Sequence, residues 1–279
     1  MPNKILQLKR KDKNNKVRSC GKIEIKNQTE NEADLCFFGD INSETMGEWK
    51  AYYPEDKAPS DVKEFLDQLG NVSKINVYIN SGGGSVFGGI AIHNMLKRYD
   101  AEIIVHVEAL AASIASVIAF AGNKIFCPKN ANIMIHKPSS WAAGNADDFR
   151  KEADVLDTCQ EAILAVYMEH AKEGVTEEQI NELINAETWG NGEFWAQYFD
   201  IKVEEASEAV AAADSEYYAK YKNLPEALKK KEEIVDAEKM ANRIAAKVLE
   251  KLKAKQEKQE NEPGKEAEKK ALLEDLDLY

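Results

Sequence analysis

Apolar and polar residues alternate along the first 206 positions in a pattern that predicts strands and helices in turn. Short apolar runs, such as residues 75–79 and 103–107, are typical of strands that are buried in a sheet. Between these runs, apolar residues recur at spacings of three and four, as in the helix that Ser60 caps and Gly70 ends. Alternating strands and helices are typical of an α/β fold. The predicted strands are residues 35–39, 75–79, 103–107, 124–127 and 133–135.

A long amphipathic helix is predicted to follow Asn145, because Asp147 and Asp148 come next and negative charge is favourable in the first turn of a helix. Its apolar residues keep a helical spacing until the chain reaches Gly174, which ends the helix. The sequence Thr-Glu-Glu-Gln of residues 176–179 then forms the capping box of a shorter helix.

The chain after residue 206 is rich in Ala, Lys and Glu, and it forms a predicted tail over residues 207–279. Residues 234–248 predict an amphipathic helix, either a short coiled coil or a solvated single helix. Residues 256–270 have the composition of a disordered segment, and residues 272–279 are either a docking peptide or a disordered end. At the other end, residues 1–33 are predicted to be an N-terminal basic segment, followed by a domain of residues 34–206.

Charge and hydropathy limit the classes of partner. The net charge of −12 at pH 7 argues against general nucleic-acid binding, because contacts with phosphates need a surplus of Lys and Arg. Residues 228–279 carry 13 basic and 13 acidic side chains, so the negative surplus lies in residues 1–227. The longest apolar run, residues 109–122, is too short to cross a bilayer, and no apolar signal segment begins the chain. We therefore expect a cytoplasmic protein that binds neither membrane nor nucleic acid.

The cysteines and histidines lack the spacing of metal ligands, since neither a CxxC nor an HExxH pattern is present. We expect free thiols, as in a reducing compartment, and no metal site. The four cysteines are Cys20, Cys36, Cys127 and Cys159.

A serine among small apolar residues is the first candidate for chemistry. Residues 109–115 read Ala-Leu-Ala-Ala-Ser-Ile-Ala, and His136 follows Ser113 by 23 positions, at the end of a predicted strand. A histidine that removes the proton of a serine hydroxyl turns the hydroxyl into a nucleophile. The pair indicates a serine hydrolase.

A glycine-rich loop is the second candidate. The strand of residues 75–79 runs into Asn-Ser-Gly-Gly-Gly-Ser, residues 80–85, and a predicted helix begins directly afterwards. Free backbone N–H groups at such a turn bind an anion, which is either a phosphate or the oxyanion of acyl transfer. The loop lacks the Lys and Ser/Thr of a P-loop and the glycine spacing of a dinucleotide site, so the oxyanion interpretation is favoured.

These motifs, in this order, resemble those of the ClpP-like serine peptidases over about residues 34–206. Asn-Ser-Gly-Gly-Gly-Ser from residue 80 is similar to the family's Asn-Ser-Pro-Gly-Gly-Ser loop, with Gly82 in place of proline. Ala-Ala-Ser-Ile-Ala from residue 111 is similar to the nucleophile segment. Met-Ile-His-Lys-Pro from residue 134 is similar to the family's Met-Ile-His-Gln-Pro. The resemblance implies a ClpP/crotonase-like α/β fold of repeated β-β-α units, in which the long helix after Asn145 is the projecting handle.

The resemblance also implies roles for individual residues. Ser113 would be the nucleophile and His136 the general base and then the general acid. The backbone N–H groups of Gly83 and Ile114 would form the oxyanion hole, and the reaction would need no cofactor. The family's triad aspartate falls where this chain has Glu187, which we therefore expect to orient His136.

Other residues offer alternatives to this triad. Asp200, Asp154 and Asp157 are rival acids, although Asp200 lies beyond the aligned position and the other two lie in the long helix. Ser116 is a rival nucleophile, because it lies one helical turn after Ser113. The remaining histidines, which we expect to be structural or solvated, are His93, His106 and His170.

The biology that the resemblance implies has two forms. One is a phage head-maturation protease that trims capsid or scaffold proteins, which the Glu-Thr-Trp segment at residue 187, the altered glycine loop and the charged tail favour. The other is a housekeeping Clp peptidase that works with a ring ATPase. Both imply a ring-shaped homo-oligomer with protein or peptide substrates.

Three further classes remain as alternatives. A crotonase-like acyl-CoA enzyme would use the glycine loop without the pairing of Ser113 and His136. A signal peptide peptidase would use a lysine base, usually with a membrane anchor. A capsid-assembly protein on the same fold could have lost most of its activity through the exchange of aspartate for Glu187.

Overall fold

Helices pack on a mostly parallel β-sheet, as the alternating pattern predicts, so the α/β class is confirmed. The structure is a computed structural model that describes residues 3–11, 17–41, 59–206 and 215–229. The strands of these residues are β1 (Lys4–Lys11), β2 (Val17–Lys26), β3 (Glu32–Gly39), β4 (Lys74–Ser81), β5 (Glu102–Ala112), β6 (Lys124–Pro128), β7 (Asn132–Ile135), β8 (Thr188–Asn191) and β9 (Ile201–Glu204).

The sheet runs in the order β1-β2-β3-β4-β5-β6-β9. β1, β2 and β3 are antiparallel neighbours, whereas β3, β4, β5, β6 and β9 are parallel. Two strands before residue 34 thus extend the sheet, because Ile23 and Ile25 of β2 alternate with polar residues and lie in the core. The domain boundaries at residues 33 and 206 remain predictions.

The helices include each of those predicted within the described residues. α4 is the long helix after Asn145, whose side chain accepts hydrogen bonds from the N–H groups of Asp147 and Asp148. α5 begins with the predicted capping box between Thr176 and Gln179. The α-helices are α1 (Pro59–Leu66), α2 (Val86–Lys97), α3 (Ile114–Ala119), α4 (Ala146–Met168), α5 (Glu177–Asn185) and α6 (Gly192–Trp195).

β5 divides between two neighbours, and this division positions the candidate site. Its first half pairs with β6 through Ile104–His106, while its last residues, Leu110–Ala112, pair with β7. β7 in turn pairs with β8 in the antiparallel direction. The ends of β5 and β7 therefore lie side by side, next to the start of β8.

The apolar core lies between the sheet and the helices. Fully buried residues of β3, β4 and β5, such as Leu35, Val77 and Val105, belong to one apolar cluster with residues of α2 and α3. Burial of such side chains contributes about 1.5–3 kcal/mol each relative to leaving them exposed. The glycine loop and the serine-bearing turn are thus attached to rigid elements.

In the described part of the chain, no helix has the length and apolarity needed to cross a bilayer. The predicted tail helix, the predicted disordered segment and the acidic C-terminal residues lie outside the described residues. Of the tail, residues 215–229 are described, with short 3₁₀ turns at Glu216–Lys220 and Glu226–Leu228.

Candidate active site

Ser113 lies at the sharp turn between β5 and α3. Its backbone has φ +56° and ψ −129°. Residues other than glycine rarely adopt this conformation, which costs about 1–3 kcal/mol. The turn is held from one side by the Ser113 N–H, which donates to the carbonyl of Met134 in β7 over 2.8 Å. The side chain therefore leaves the strand end at a fixed angle, as a nucleophile requires.

His136 follows the last residue of β7 and contacts Ser113 directly. The distance between Ser113 Oγ and His136 Nε2 is 2.7 Å, which is within hydrogen-bonding range. Burial lowers the pKa of His136 below its ordinary value of 6.5, while the charge of Glu187 opposes this shift. The imidazole is therefore neutral at pH 7 and able to accept a proton.

The glycine loop between β4 and α2 lies next to the same serine. Gly83 has φ +102°, and a Cβ built on it would lie 2.7 Å from the Cβ of Ser113 and 2.8 Å from the carbonyl oxygen of Ala112. Its N–H donates to Ser81 Oγ over 3.2 Å. Ile114 is the first residue of α3, where a helix provides no backbone acceptor for the N–H group. The two expected oxyanion donors thus flank Ser113, one of them bonded to Ser81.

Glu187 is buried at the junction of α5 and β8, with φ +52°. Its carboxylate accepts two backbone hydrogen bonds, from the N–H of Lys222 over 2.9 Å and from the N–H of Asn223 over 2.6 Å. No hydrogen bond joins it to His136 among the described residues, although its charge raises the pKa of that histidine. The role of Glu187 as the third triad member remains a prediction.

Comparison with known proteins finds relatives for the part of the chain that contains Ser113 and His136. Residues 62–198 match the family model described as Clp protease. The ATP-dependent Clp protease proteolytic subunit of Ligilactobacillus salivarius is 40% identical over 92 residues, which are 32% of this chain and 47% of the relative. Residues 62–198 are thus similar to the Clp protease family.

More distant members align over longer stretches. The proteolytic subunit 1 of Streptomyces avermitilis is 32% identical over 126 residues, 44% of this chain and 57% of the relative. That of Salinibacter ruber is 26% identical over 136 residues, 48% of this chain and 58% of the relative. The chain thus spans about half the length of the curated relatives that it matches.

The rival candidates for nucleophile and acid lie in other settings. Ser116 is fully buried, where its hydroxyl contacts Tyr167 Oη at 2.7 Å and donates to the carbonyl of Ser113. Asp200 is exposed and pairs with Lys202 over 3.2 Å. Asp154 and Asp157 lie on the exposed surface of α4. Within the described residues, Glu187 is the carboxylate whose charge acts on His136.

The other histidines also lie away from Ser113. His106 is stacked between Tyr78 and Phe126 on neighbouring strands, with ring centroids 5.1 and 5.2 Å apart. His93 is buried in α2, with Nδ1 3.1 Å from the side-chain oxygen of Asn94. His170 Nε2 lies 2.9 Å from the carbonyl oxygen of Phe120.

A segment of the predicted tail lies across the site, which the pattern of the sequence did not predict. We call residues 215–228 the strap. Tyr221 in the strap donates a hydrogen bond from its hydroxyl to the carbonyl of Gly82, and its ring contacts His136 and Trp189. The only signal in the sequence is the cluster of three tyrosines, residues 217, 218 and 221, within an otherwise charged stretch.

Proposed function

We propose that the chain is a serine endopeptidase that cleaves peptide bonds through Ser113 and His136. The observation that carries the proposal is the distance of 2.7 Å between Ser113 Oγ and His136 Nε2, at a strained turn next to Gly83. The match of residues 62–198 to the Clp protease family supports it independently.

The chemistry would proceed in two halves. Ser113 Oγ attacks the peptide carbonyl carbon while His136 takes the hydroxyl proton, and the negative oxygen of the tetrahedral intermediate is stabilised by the N–H groups of Gly83 and Ile114. The C–N bond breaks as His136 gives its proton to the leaving amine, which leaves an acyl ester on Ser113. Water then attacks the ester, His136 takes its proton, and Ser113 Oγ regains a proton as the new carboxyl end departs.

Glu187 would orient and stabilise the protonated His136 in both halves. The opposing effect of its charge on the pKa of His136 supports this role, because a nearby carboxylate favours the imidazolium that forms during the reaction. In the present arrangement, the strap holds the carboxylate through Lys222 and Asn223.

For the substrates, we propose capsid or scaffold proteins of an assembling phage head. The support is the sequence: Glu187 replaces the usual aspartate, Gly82 replaces the usual proline, and a charged tail follows residue 206. A second candidate is a peptidase that works with a ring ATPase, because the relatives are named ATP-dependent Clp protease proteolytic subunits. Either function would use a ring-shaped homo-oligomer, and the exposed apolar side chains of Phe149 and Val155 on α4 are suited to contacts between copies.

Labelling with a fluorophosphonate tests the peptidase proposal. The unaltered chain should be labelled and Ser113→Ala should not. Label that persists in Ser113→Ala would overturn the assignment of the nucleophile.

The substrate class is tested by co-expression with a phage major capsid protein and its scaffold. Cleavage that depends on Ser113 supports the head-maturation role. Intact capsid and scaffold, together with degradation of an unfolded protein only when a ring ATPase is added, would favour the second candidate.

A further inference from the structure

The strap contacts the glycine loop at its closest approach to the nucleophile. A Cβ built on Gly82 would lie 2.4 Å from the Cβ of Ser215 and 3.1 Å from Cε1 of Tyr218. A Cβ built on Gly83 would lie 3.1 Å from the Tyr221 hydroxyl as well as 2.7 Å from Ser113. The strap therefore contacts both glycines, and it meets the nucleophile at Gly83.

The tyrosines of the strap fill an apolar surface beside Ser113. Tyr218 and Tyr221 are each 8% exposed, and together with Leu110, Ala112 and Met134 they form an apolar cluster separate from the main core. The last three residues belong to the ends of β5 and β7, which flank the nucleophile and the base. Removal of the strap would expose this surface to solvent at the point where a substrate must bind.

Backbone groups of the strap also bind the candidate triad acid. The N–H groups of Lys222 and Asn223 donate to the two carboxylate oxygens of Glu187, and Asn223 Nδ2 donates to the carbonyls of Ala186 and Glu187 over 2.8 and 3.1 Å. Hydrogen bonds to a buried carboxylate are among the stronger ones in proteins. Both carboxylate oxygens are thus bound by the strap, and among the described residues no hydrogen bond joins them to His136.

We infer that residues 215–228 are an autoinhibitory strap, which occupies the peptide-binding surface at Ser113 and must leave before a substrate can bind there. The inference rests on the proposed peptidase function. A substrate carbonyl has to approach Ser113 Oγ and the N–H of Gly83, and the Tyr221 hydroxyl lies at that glycine. Departure of the strap also frees the Glu187 carboxylate to bond with His136.

The glycine at position 82 fits this role. The ClpP-like motif has proline there, and even one added carbon would collide with Ser215. The backbone of Gly82 does not have positive φ, so alanine suits its conformation. The variant Gly82→Ala should therefore displace the strap without straining the loop.

The test measures the rate at which the full-length chain reacts with a fluorophosphonate. We expect Gly82→Ala and Tyr221→Ala to react at least about tenfold faster than the unaltered chain, because more of the population is open. In Gly82→Ala combined with Ser215→Gly, the clash with the Ser215 side chain is gone and the rate should fall again. Tyr99→Ala is the matched control, because it truncates a tyrosine just after the end of α2 that lies away from the glycine loop. It should react like the unaltered chain.

The outcomes separate the two proposals. If the unaltered chain reacts at Ser113 as fast as Gly82→Ala and Tyr221→Ala, the strap inference is overturned and the peptidase proposal stands. A loss of reactivity in both variants, with normal folding, would mean that the strap forms part of the binding surface. This result would also overturn the inference. If no form reacts at Ser113, the peptidase proposal fails and the inference fails with it.

Hydrogen exchange provides a second measurement that needs no variant. After complete reaction of the unaltered chain, the adduct on Ser113 occupies the surface that the strap covers. The amides of Lys222 and Asn223 should then exchange faster than in the unreacted chain. Unchanged protection of both amides in the adduct would overturn the inference.

Discussion

The ring of Tyr221 meets the imidazole of His136 edge to face, with 5.2 Å between the ring centroids and an angle of 81° between the ring planes. Tyr221 thereby shields the base from water, and burial is the cause that lowers the pKa of His136. A residue more than 80 positions after the histidine in the sequence thus influences when the base is neutral.

Replacement of Tyr221 by alanine should raise the pH at which reactivity appears. The reaction needs neutral His136, so the labelling rate rises as pH passes the pKa of His136 and is constant above it. Loss of the ring admits water, which favours the charged form and moves the pKa up toward 6.5. The midpoint of the pH profile between about pH 5 and 8 measures this shift. A midpoint that moves down would contradict the account.

Replacement of Glu187 by glutamine should have the opposite effect on the midpoint. The carboxylate of Glu187 favours the protonated imidazole, so its neutralisation lowers the pKa of His136 further. We expect a midpoint below that of the unaltered chain. Glu193→Gln, an exposed glutamate in α6, is the control and should leave the midpoint in place. An unchanged midpoint in Glu187→Gln would contradict an influence of Glu187 on His136.

Alanine at Gly83 should abolish reactivity, whereas alanine at Gly174 should not. Both glycines have positive φ, +102° and +87°, so both substitutions carry backbone strain. A Cβ on Gly83 would collide with Ser113 and Ala112, while a Cβ on Gly174 has no atom within 4 Å. The collision displaces the Gly83 N–H from the oxyanion position, and because loss of an oxyanion donor costs about 10²–10³-fold in rate, Gly83→Ala should be slower by about that factor. Equal labelling rates in the two variants would contradict the placement of Gly83.

Much of this site was predictable from the sequence, because its parts lie at the ends of strongly patterned elements. The pairing of Ser113 with His136 follows from the order of two buried strands that turn out to be neighbours, β5 and β7. The bonds between Glu187 and the strap join residues 35 and 36 positions apart, through backbone groups that carry no sequence signal. The strap could not be predicted, because its few tyrosines lie within a charged stretch whose apolar residues have no regular spacing.

Ser116→Ala should destabilise the fold without affecting the chemistry. The substitution leaves the buried Tyr167 hydroxyl without its partner, which costs about 1–3 kcal/mol of unfolding free energy. Denaturant unfolding measures the loss, and Ser140→Ala, at an exposed serine, should change stability by less than about 0.5 kcal/mol. The labelling rate of folded Ser116→Ala should match that of the unaltered chain. A loss of label would instead indicate that Ser116 is the nucleophile.

The central claim, that Ser113 is the nucleophile of a peptidase, is tested most directly by locating the phosphonate adduct with peptide mass spectrometry. Ser113→Gly is the matched control, because glycine suits the backbone conformation of φ +56° and the variant should remain folded. The account predicts an adduct on Ser113 in the unaltered chain and none in Ser113→Gly. An adduct on any other residue, or an equal yield from the glycine variant, would contradict it.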